Sequence, residues 1–270
     1  MKRSAYLTSN RIQAIADQLT FRDWEIVQSL AKLRVAQARQ LQRLHFTDES
    51  PPTQARRCRR HLERLTALGV VERLDRVVGG VRAGSSGHIY VLSIGGIKLA
   101  ARLGKTSSAR PQKPTTPGAA FLRHRLAITE LYVRLVEAER DRQLDLVTFD
   151  AEPTCWRRYI GRRGVSEWVK PDAFVELGVG ADFMDAYFVE IDRGTQSASV
   201  LAEKCDVYYH YSGTGREGEA FPEVLFLVPD ERRKAFVVDV LAKQPAERWK
   251  LFRVGLFDEA IERFVPRRHR

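Results

Sequence analysis

Apolar positions in the first hundred residues recur with a helical period and then switch to runs of β-formers. After Thr20, an N-cap type residue, FRDWEIVQSLAKL carries Trp24, Val27, Leu30 and Ala31 at helical spacing, which predicts a first helix. VAQARQLQRLHF follows with Ala38, Leu41 and Leu44 on one face. SPPTQARRCRRHLERLTALGVVERL then predicts a longer helix, capped by Ser50 or Thr53 and ended by Gly69, with Leu62, Leu65 and Leu68 as its buried stripe. Beyond it, VVERLDRVV and IYVLS are β-rich runs around the Gly/Ser tip GGVRAGSSGH, and SIGGIKLAARLG returns to a helix. Three short helices followed by a hairpin form the pattern of a winged helix-turn-helix, expected over residues 1–104 with Arg82 on the wing.

The stretch KTSSARPQKPTTPGAA has no apolar period and is rich in Pro, Ser, Thr and Lys. It reads as an extended linker over residues 105–118, leaving residues 119–270 as a second domain. There FLRHRLAITELYVRLVEAER predicts a helix, DLVTFDAEP a strand, and VKPDAFVEL with DAYFVEIDR a hairpin around GVGAD. QSASVLAEKCDVYYHYS is a helix, EVLFLVP a buried strand, DERRKAFVVDVLAK a helix and WKLFRVGLFD a last strand. The order α, three β, α, β, α, β describes a mixed sheet with helices on its faces. The fold class expected for the whole chain is therefore α+β, or α/β in its second part.

Composition changes this picture little, and charge changes it more. The 44% apolar content is ordinary for a globular chain, and no run of eighteen apolar residues or signal-peptide start is present. A cytoplasmic protein with no membrane contact is expected. Cys58, Cys155 and Cys205 are scattered and outside any CxxC spacing, so they read as buried free thiols. Residues 1–118 hold 21 Lys+Arg against 8 Asp+Glu, whereas residues 119–270 hold 24 against 26. The basic excess belongs to the first half, as in a polyanion-binding module joined to one with a different task.

Within that half the third helix carries Arg56, Arg57, Arg59, Arg60 and Arg64, with no acid until Glu63. The expectation is a recognition helix in a DNA major groove, with the Arg82 wing on flanking phosphates. A solvated face of a protein-interaction winged helix is the competing reading.

The chemistry of the second half is carried by three acids on expected strands. If the hairpin turns near residue 180 or 181, Asp172 lies beside residues 188–190, and Glu190 and Asp192, two apart, share a face. One site could then gather all three carboxylates, a donor set suited to Mg²⁺ or Mn²⁺. Strand ends and turns also favour acids, so the pattern alone leaves both readings open.

KPD at Lys170 to Asp172 and VEID at Val189 to Asp192, after a helix bearing Glu130 and before one bearing Lys204, resembles the PD-(D/E)xK nuclease superfamily and its restriction-endonuclease-like fold. More narrowly, LTFRDWEIVQSL, RHLERLTALGVVERL and HIYVLSIGGIKLA, followed by HRLAITEL, PDAFVEL and VEIDRGTQS with LAEKCDVYYHY, resembles the replication-relaxation family over roughly residues 20 to 240. That family includes mobilization relaxases of plasmids and integrative elements. The resemblance implies that Asp172 and Glu190 hold the metal and that Glu130 matches an acid on the first helix. It also implies a metal-dependent DNA endonuclease, a nickase, acting at a plasmid transfer or replication origin. The chain departs from the pattern at Asp192, where the superfamily has a lysine. Asp192 is then a third ligand or an orienting acid, and Lys204 a replacement for the missing lysine, with Tyr208 and Tyr211 at i+4 and i+7 on its helix face. Gln196 is a further candidate for substrate contact.

Double-stranded DNA is the expected partner, with a second copy of the chain as a candidate. Other mechanisms lack their residues: no two histidines lie two apart, the glycine-bearing stretch GTGREGEA at 213–220 has no Gly-Lys-Ser/Thr, and no G-x-S-x-G occurs. Two alternatives stay open. One is a non-catalytic DNA-binding, initiation or mobilization accessory protein on a degenerate nuclease fold; the other is a regulator with a ligand-sensing domain.

Overall fold

A computed structural model describes residues 8–48, 50–74, 87–102, 118–161, 164–179, 183–218 and 220–264. The chain divides into two compact units, Met1–Val133 and Arg134–Arg270.

The first unit opens with a helix that sequence periodicity did not reveal, α1 (Ser9–Ala16), followed by α2 (Phe21–Leu33). Thr20 caps α2 in a capping box with Asp23, as its residue type led one to expect. The short strand β1 (Ala36–Gln37) precedes α3 (Ala38–His45), and α4 (Pro51–Ala67) starts after Ser50. Gly69, at φ +71°, turns the chain out of α4. Strands β2 (Val71–Leu74) and β3 (Ile89–Leu92) pair antiparallel, β1 adds to the far side of β3, and α5 (Ile94–Arg102) follows. Leu30, Leu41, Leu62, Leu65, Val71 and Leu99 meet in one core. The loop expected as a wing, with Arg82, lies outside the described residues, as does the expected linker up to residue 117.

The first unit reaches beyond the expected limit at residue 104, because α6 (Ala119–Arg140) begins inside it. Leu122 and Leu126 pack with Val35 and Ile89. Buried Arg125 donates to the Leu33 carbonyl at 3.1 Å, and the Thr129 hydroxyl to Val35 O at 2.7 Å. These polar groups satisfy carbonyls at the end of α2 that would otherwise be buried without partners.

The second unit is a five-stranded mixed sheet with helices. In order, its elements are β4 (Asp145–Ala151), β5 (Arg157–Ile160), β6 (Ser166–Val169), β7 (Ala173–Val179), β8 (Phe183–Ile191), α7 (Ala198–Ser212), β9 (Glu223–Val228), α8 (Glu231–Ala242), α9 (Ala246–Trp249), β10 (Phe252–Leu256) and α10 (Ala260–Phe264). The sheet order is β10-β9-β8-β7-β4, antiparallel from β4 to β8 and parallel from β8 to β10. Helices α7 and α8 cover one face: Phe174, Phe188, Val224 and Phe226 pack with Leu201, Cys205, Tyr208, Val237 and Val240. Residues of opposite parity, Val175, Val189 and Ile191, are buried on the other face, where Tyr187 meets Phe264 of α10 edge-on at 5.1 Å. Strands β5 and β6 form a separate hairpin between β4 and β7. All three cysteines are buried and unbridged.

Candidate functional site

Strand register builds the site. Ala173 pairs with Val189 and Phe174 with Phe188, so Asp172 lies opposite Glu190, as a turn centred at residue 181 requires. Asp172 keeps the ladder going beyond β7: its N–H donates to Val189 O at 3.0 Å, and its Oδ2 accepts the Ile191 N–H at 2.7 Å. Parity puts both acids on the same face as Phe174 and Phe188, the face under α7. They are 8% and 2% exposed, and Asp192 is 3% exposed, so these are buried carboxylates rather than strand ends in water.

Burial of three acids calls for positive partners, and the two covering helices supply them. From α7, Lys204 Nζ donates to Glu190 Oε2 at 2.6 Å and the Tyr208 hydroxyl to Glu190 Oε1 at 2.7 Å. From α8, Arg233 donates twice to Asp192 Oδ2, through Nε at 2.9 Å and Nη2 at 2.6 Å. The other Asp192 oxygen accepts the Gly194 N–H at 2.6 Å, an Asx turn closed by a glycine at φ +79°. The chain then leaves β8 toward the Ser197 cap of α7.

Burial raises the Glu190 carboxyl from its ordinary 4.5 to about 7; Lys204 pulls it back, Asp172 pushes it further up, and hydrogen bonds from Lys204 and Tyr208 lower it. Burial alone would lower Lys204, but Glu190, then Asp172, with a smaller contribution from Asp192, outweigh it and hold its ammonium above the usual range. All three acids therefore act on one cation. Burial, then the Glu190 charge, keeps Tyr208 well above its ordinary value, so it is a hydrogen-bond donor.

A sequence model described as replication-relaxation matches residues 27–224. The chain belongs to the replication-relaxation family. Membership ties it to DNA replication and mobilization. The match runs from within α2 of the first unit to the start of β9, and so spans the acid cluster of the second. No curated protein and no solved structure matches the chain. Among the described residues no helix is long and apolar enough to cross a membrane.

Within this replication-relaxation chain the structure brings together Asp172, Glu190 and Lys204, with Asp192, two residues after Glu190, also acting on Lys204. The Glu130 carboxylate accepts Gln40 Nε2 at 3.0 Å and Arg43 Nη1 at 2.7 Å within the first unit. Gln196 takes part through its backbone, accepting Arg233 Nη2 at 2.6 Å, while its buried side-chain Oε1 has no hydrogen-bond partner among the described residues. Sequence reasoning missed Arg233. Nothing in DERRKAFVV separates it from Arg232, and only the fold shows that it reaches Asp192. Tyr208 did carry a signal, the i, i+4 spacing from Lys204.

On α4, Arg56, Arg59 and Arg60 are exposed and lie at i, i+3 and i+4, opposite buried Cys58, Leu62 and Leu65. Arg57 is half-buried beside them. Arg64 is turned inward, pairing with the fully buried Asp23 of the α2 cap and approaching Thr20 Oγ1 and Gln18 O at 3.4 Å. His61 Nδ1 holds the other Asp23 oxygen at 2.8 Å. Arg64 therefore ties α4 to the start of α2.

Proposed function

We propose that this replication-relaxation protein binds a specific duplex with its first unit and nicks DNA with its second by metal-dependent phosphodiester hydrolysis. The observation that carries this reading is the placement of Asp172 directly opposite Glu190 with the Lys204 ammonium 2.6 Å from Glu190. Two carboxylates and a cation at one sheet end match the composition of a PD-(D/E)xK site whose lysine has moved from position 192 to α7. The order α6, β4, β7, β8, α7, β9 supports a restriction-endonuclease-like fold, and α2 to α4 with the β2–β3 pair support a winged helix.

The donor set fits Mg²⁺ or Mn²⁺: both ions take hard oxygens, and neighbouring carboxylates strengthen the case for a cation between them. Both Glu190 oxygens already accept one hydrogen bond each, and a carboxylate oxygen has a second lone pair for an ion. When bound, the ion would supply water activation and charge screening at the phosphodiester. The chain's own groups do the rest. Asp172 and Glu190 would hold the ion, Tyr208 and the Ile191 N–H fix the two carboxylates, and Lys204 would offer positive charge where the phosphate becomes more negative. Arg233 neutralises Asp192, so the acid that replaces the usual lysine presents no bare negative charge to the phosphate. On α4, Arg56, Arg59 and Arg60 face the duplex.

Purified protein is expected to nick supercoiled plasmid carrying its own transfer or replication origin only with divalent metal. Glu190→Ala is expected to stop nicking and leave origin binding intact; equal nicking by this variant would rule the site out. A second reading, a non-catalytic DNA-binding or mobilization accessory protein, is favoured by the engagement of both Glu190 oxygens by Lys204 and Tyr208 and by the absence of a lysine at position 192. It predicts origin binding without nicking under any metal.

A further inference from the structure

The β5–β6 hairpin, which immediately precedes Asp172, has no part in that reading. Its register pairs Arg158 with Trp168 and Ile160 with Ser166. Strand alternation places Trp156, Arg158 and Ile160 on one face with Ser166, Trp168 and Lys170, and Arg157, Tyr159, Glu167 and Val169 on the other. The second face is closed. Tyr159 and Val169 are buried, the Tyr159 hydroxyl donates to Glu167 at 2.6 Å, and Arg157 pairs with Glu217 at 3.0 Å.

The first face is open and differently made. Arg158, Ile160, Trp168 and Lys170 are exposed, Trp168 to 47%. Lys170 Nζ lies 5.1 Å from the Trp156 ring centroid, and the Trp156 and Trp168 rings meet edge-on at 6.5 Å. The Trp156 indole N–H is buried without an acceptor among the described residues. The hairpin strands carry one acid, Glu167, and it points to the closed face. A single exposed apolar side chain is ordinary on a protein surface, but two indoles set between two cations, on a face to which the hairpin strands contribute no acid, have the makings of a recognition surface. Its foot is fixed to the acid site: the Cys155 thiol donates to Pro171 O at 3.1 Å, and Lys170 stands two residues before Asp172.

Indole faces accept any base that has been freed from its stack, and flanking cations accept the phosphates between bases. In a duplex those base faces are occupied, so the surface suits an unpaired strand. We propose that the open face of the β5–β6 hairpin binds single-stranded DNA, with Trp168 stacking on a base and Arg158 and Lys170 on adjacent phosphates. The proposal rests on the reading of the second unit as DNA-processing, and it adds the form of the substrate there: a strand already unpaired beside Asp172.

The test uses the full chain, a labelled oligothymidylate and a duplex of equal length, followed by fluorescence anisotropy. Trp168→Ala is expected to weaken oligothymidylate binding by about fivefold or more, Trp168→Phe to retain most of it, and both to bind duplex as the wild type does. Arg158→Ala with Lys170→Ala is expected to weaken binding and flatten its salt dependence. Unchanged oligothymidylate affinity in Trp168→Ala would overturn the proposal, as would an equal loss on duplex or a failure of Trp168→Phe to preserve binding. The outcome is separate from nicking. A protein that never nicks but loses single-strand binding in Trp168→Ala supports the platform and removes the hydrolytic reading; the reverse pattern removes the platform alone.

Discussion

Lys204 Nζ and Glu190 Oε2 are 2.6 Å apart, with their side chains 24% and 2% exposed, so a nearly dry carboxylate is matched by a cation that still reaches solvent. Burial is the larger influence on Glu190, and it raises the carboxyl from 4.5 to about 7. The folded protein therefore holds a proton that the unfolded chain loses from about pH 4.5 upward. The stability this contributes is full below the unfolded value and is lost as pH rises through about 7. Glu190→Gln keeps the shape and removes the titration. From pH 5 to pH 8 the variant is expected to gain roughly 2 to 3 kcal/mol on the wild type in denaturant unfolding. A difference that does not change with pH would contradict the assignment.

The Arg233 and Asp192 side chains are 12% and 1% exposed, and the guanidinium also holds the Gln196 carbonyl. Arg233→Leu leaves a buried carboxylate without its cation, at an expected cost of about 3 to 5 kcal/mol. Adding Asp192→Asn is expected to recover a large part of that loss. Urea midpoints of the two single variants and the double variant measure it; a loss well below 1 kcal/mol in Arg233→Leu would mean that water reaches Asp192.

The arginines of α4 are expected to separate into two groups. Arg64→Ala removes a partner of the buried Asp23 and is expected to destabilise by about 1 to 2 kcal/mol, moderated by the remaining His61 and Thr20 contacts. Arg56→Ala, Arg59→Ala and Arg60→Ala are expected to leave the melting temperature in place. Each is expected to lower the salt slope of duplex binding by about one. Thermal melts and binding at several salt concentrations check both halves of this statement.

The sequence displayed its periodic elements clearly. Helices α2, α4, α6, α7 and α8 and the five strands of the main sheet follow from apolar spacing and from cap residues such as Thr20 and Gly69. The facing of Asp172 and Glu190 followed from turn position alone, because register in a hairpin is set by its turn. What stayed hidden depends on packing between distant segments. Arg64 looked like its four neighbours until Asp23 was seen beneath it. The contacts of Glu130 with Arg43 and Gln40, some ninety residues away in sequence, were equally invisible. The β5–β6 hairpin, with four residues in each strand, is too short and too charged to stand out by period, and α1 is a weak amphipathic helix of eight residues.

The central claim is that Asp172 and Glu190 together hold a divalent metal. Titration calorimetry of Mn²⁺ into the full chain at pH 8, above the Glu190 value of about 7, tests it most directly. The wild type is expected to show a saturable binding heat that Asp172→Asn abolishes while the variant keeps the wild-type melting profile. The same heat in both proteins, or none in either, would contradict a metal site at this pair and leave the acids as partners of Lys204 alone.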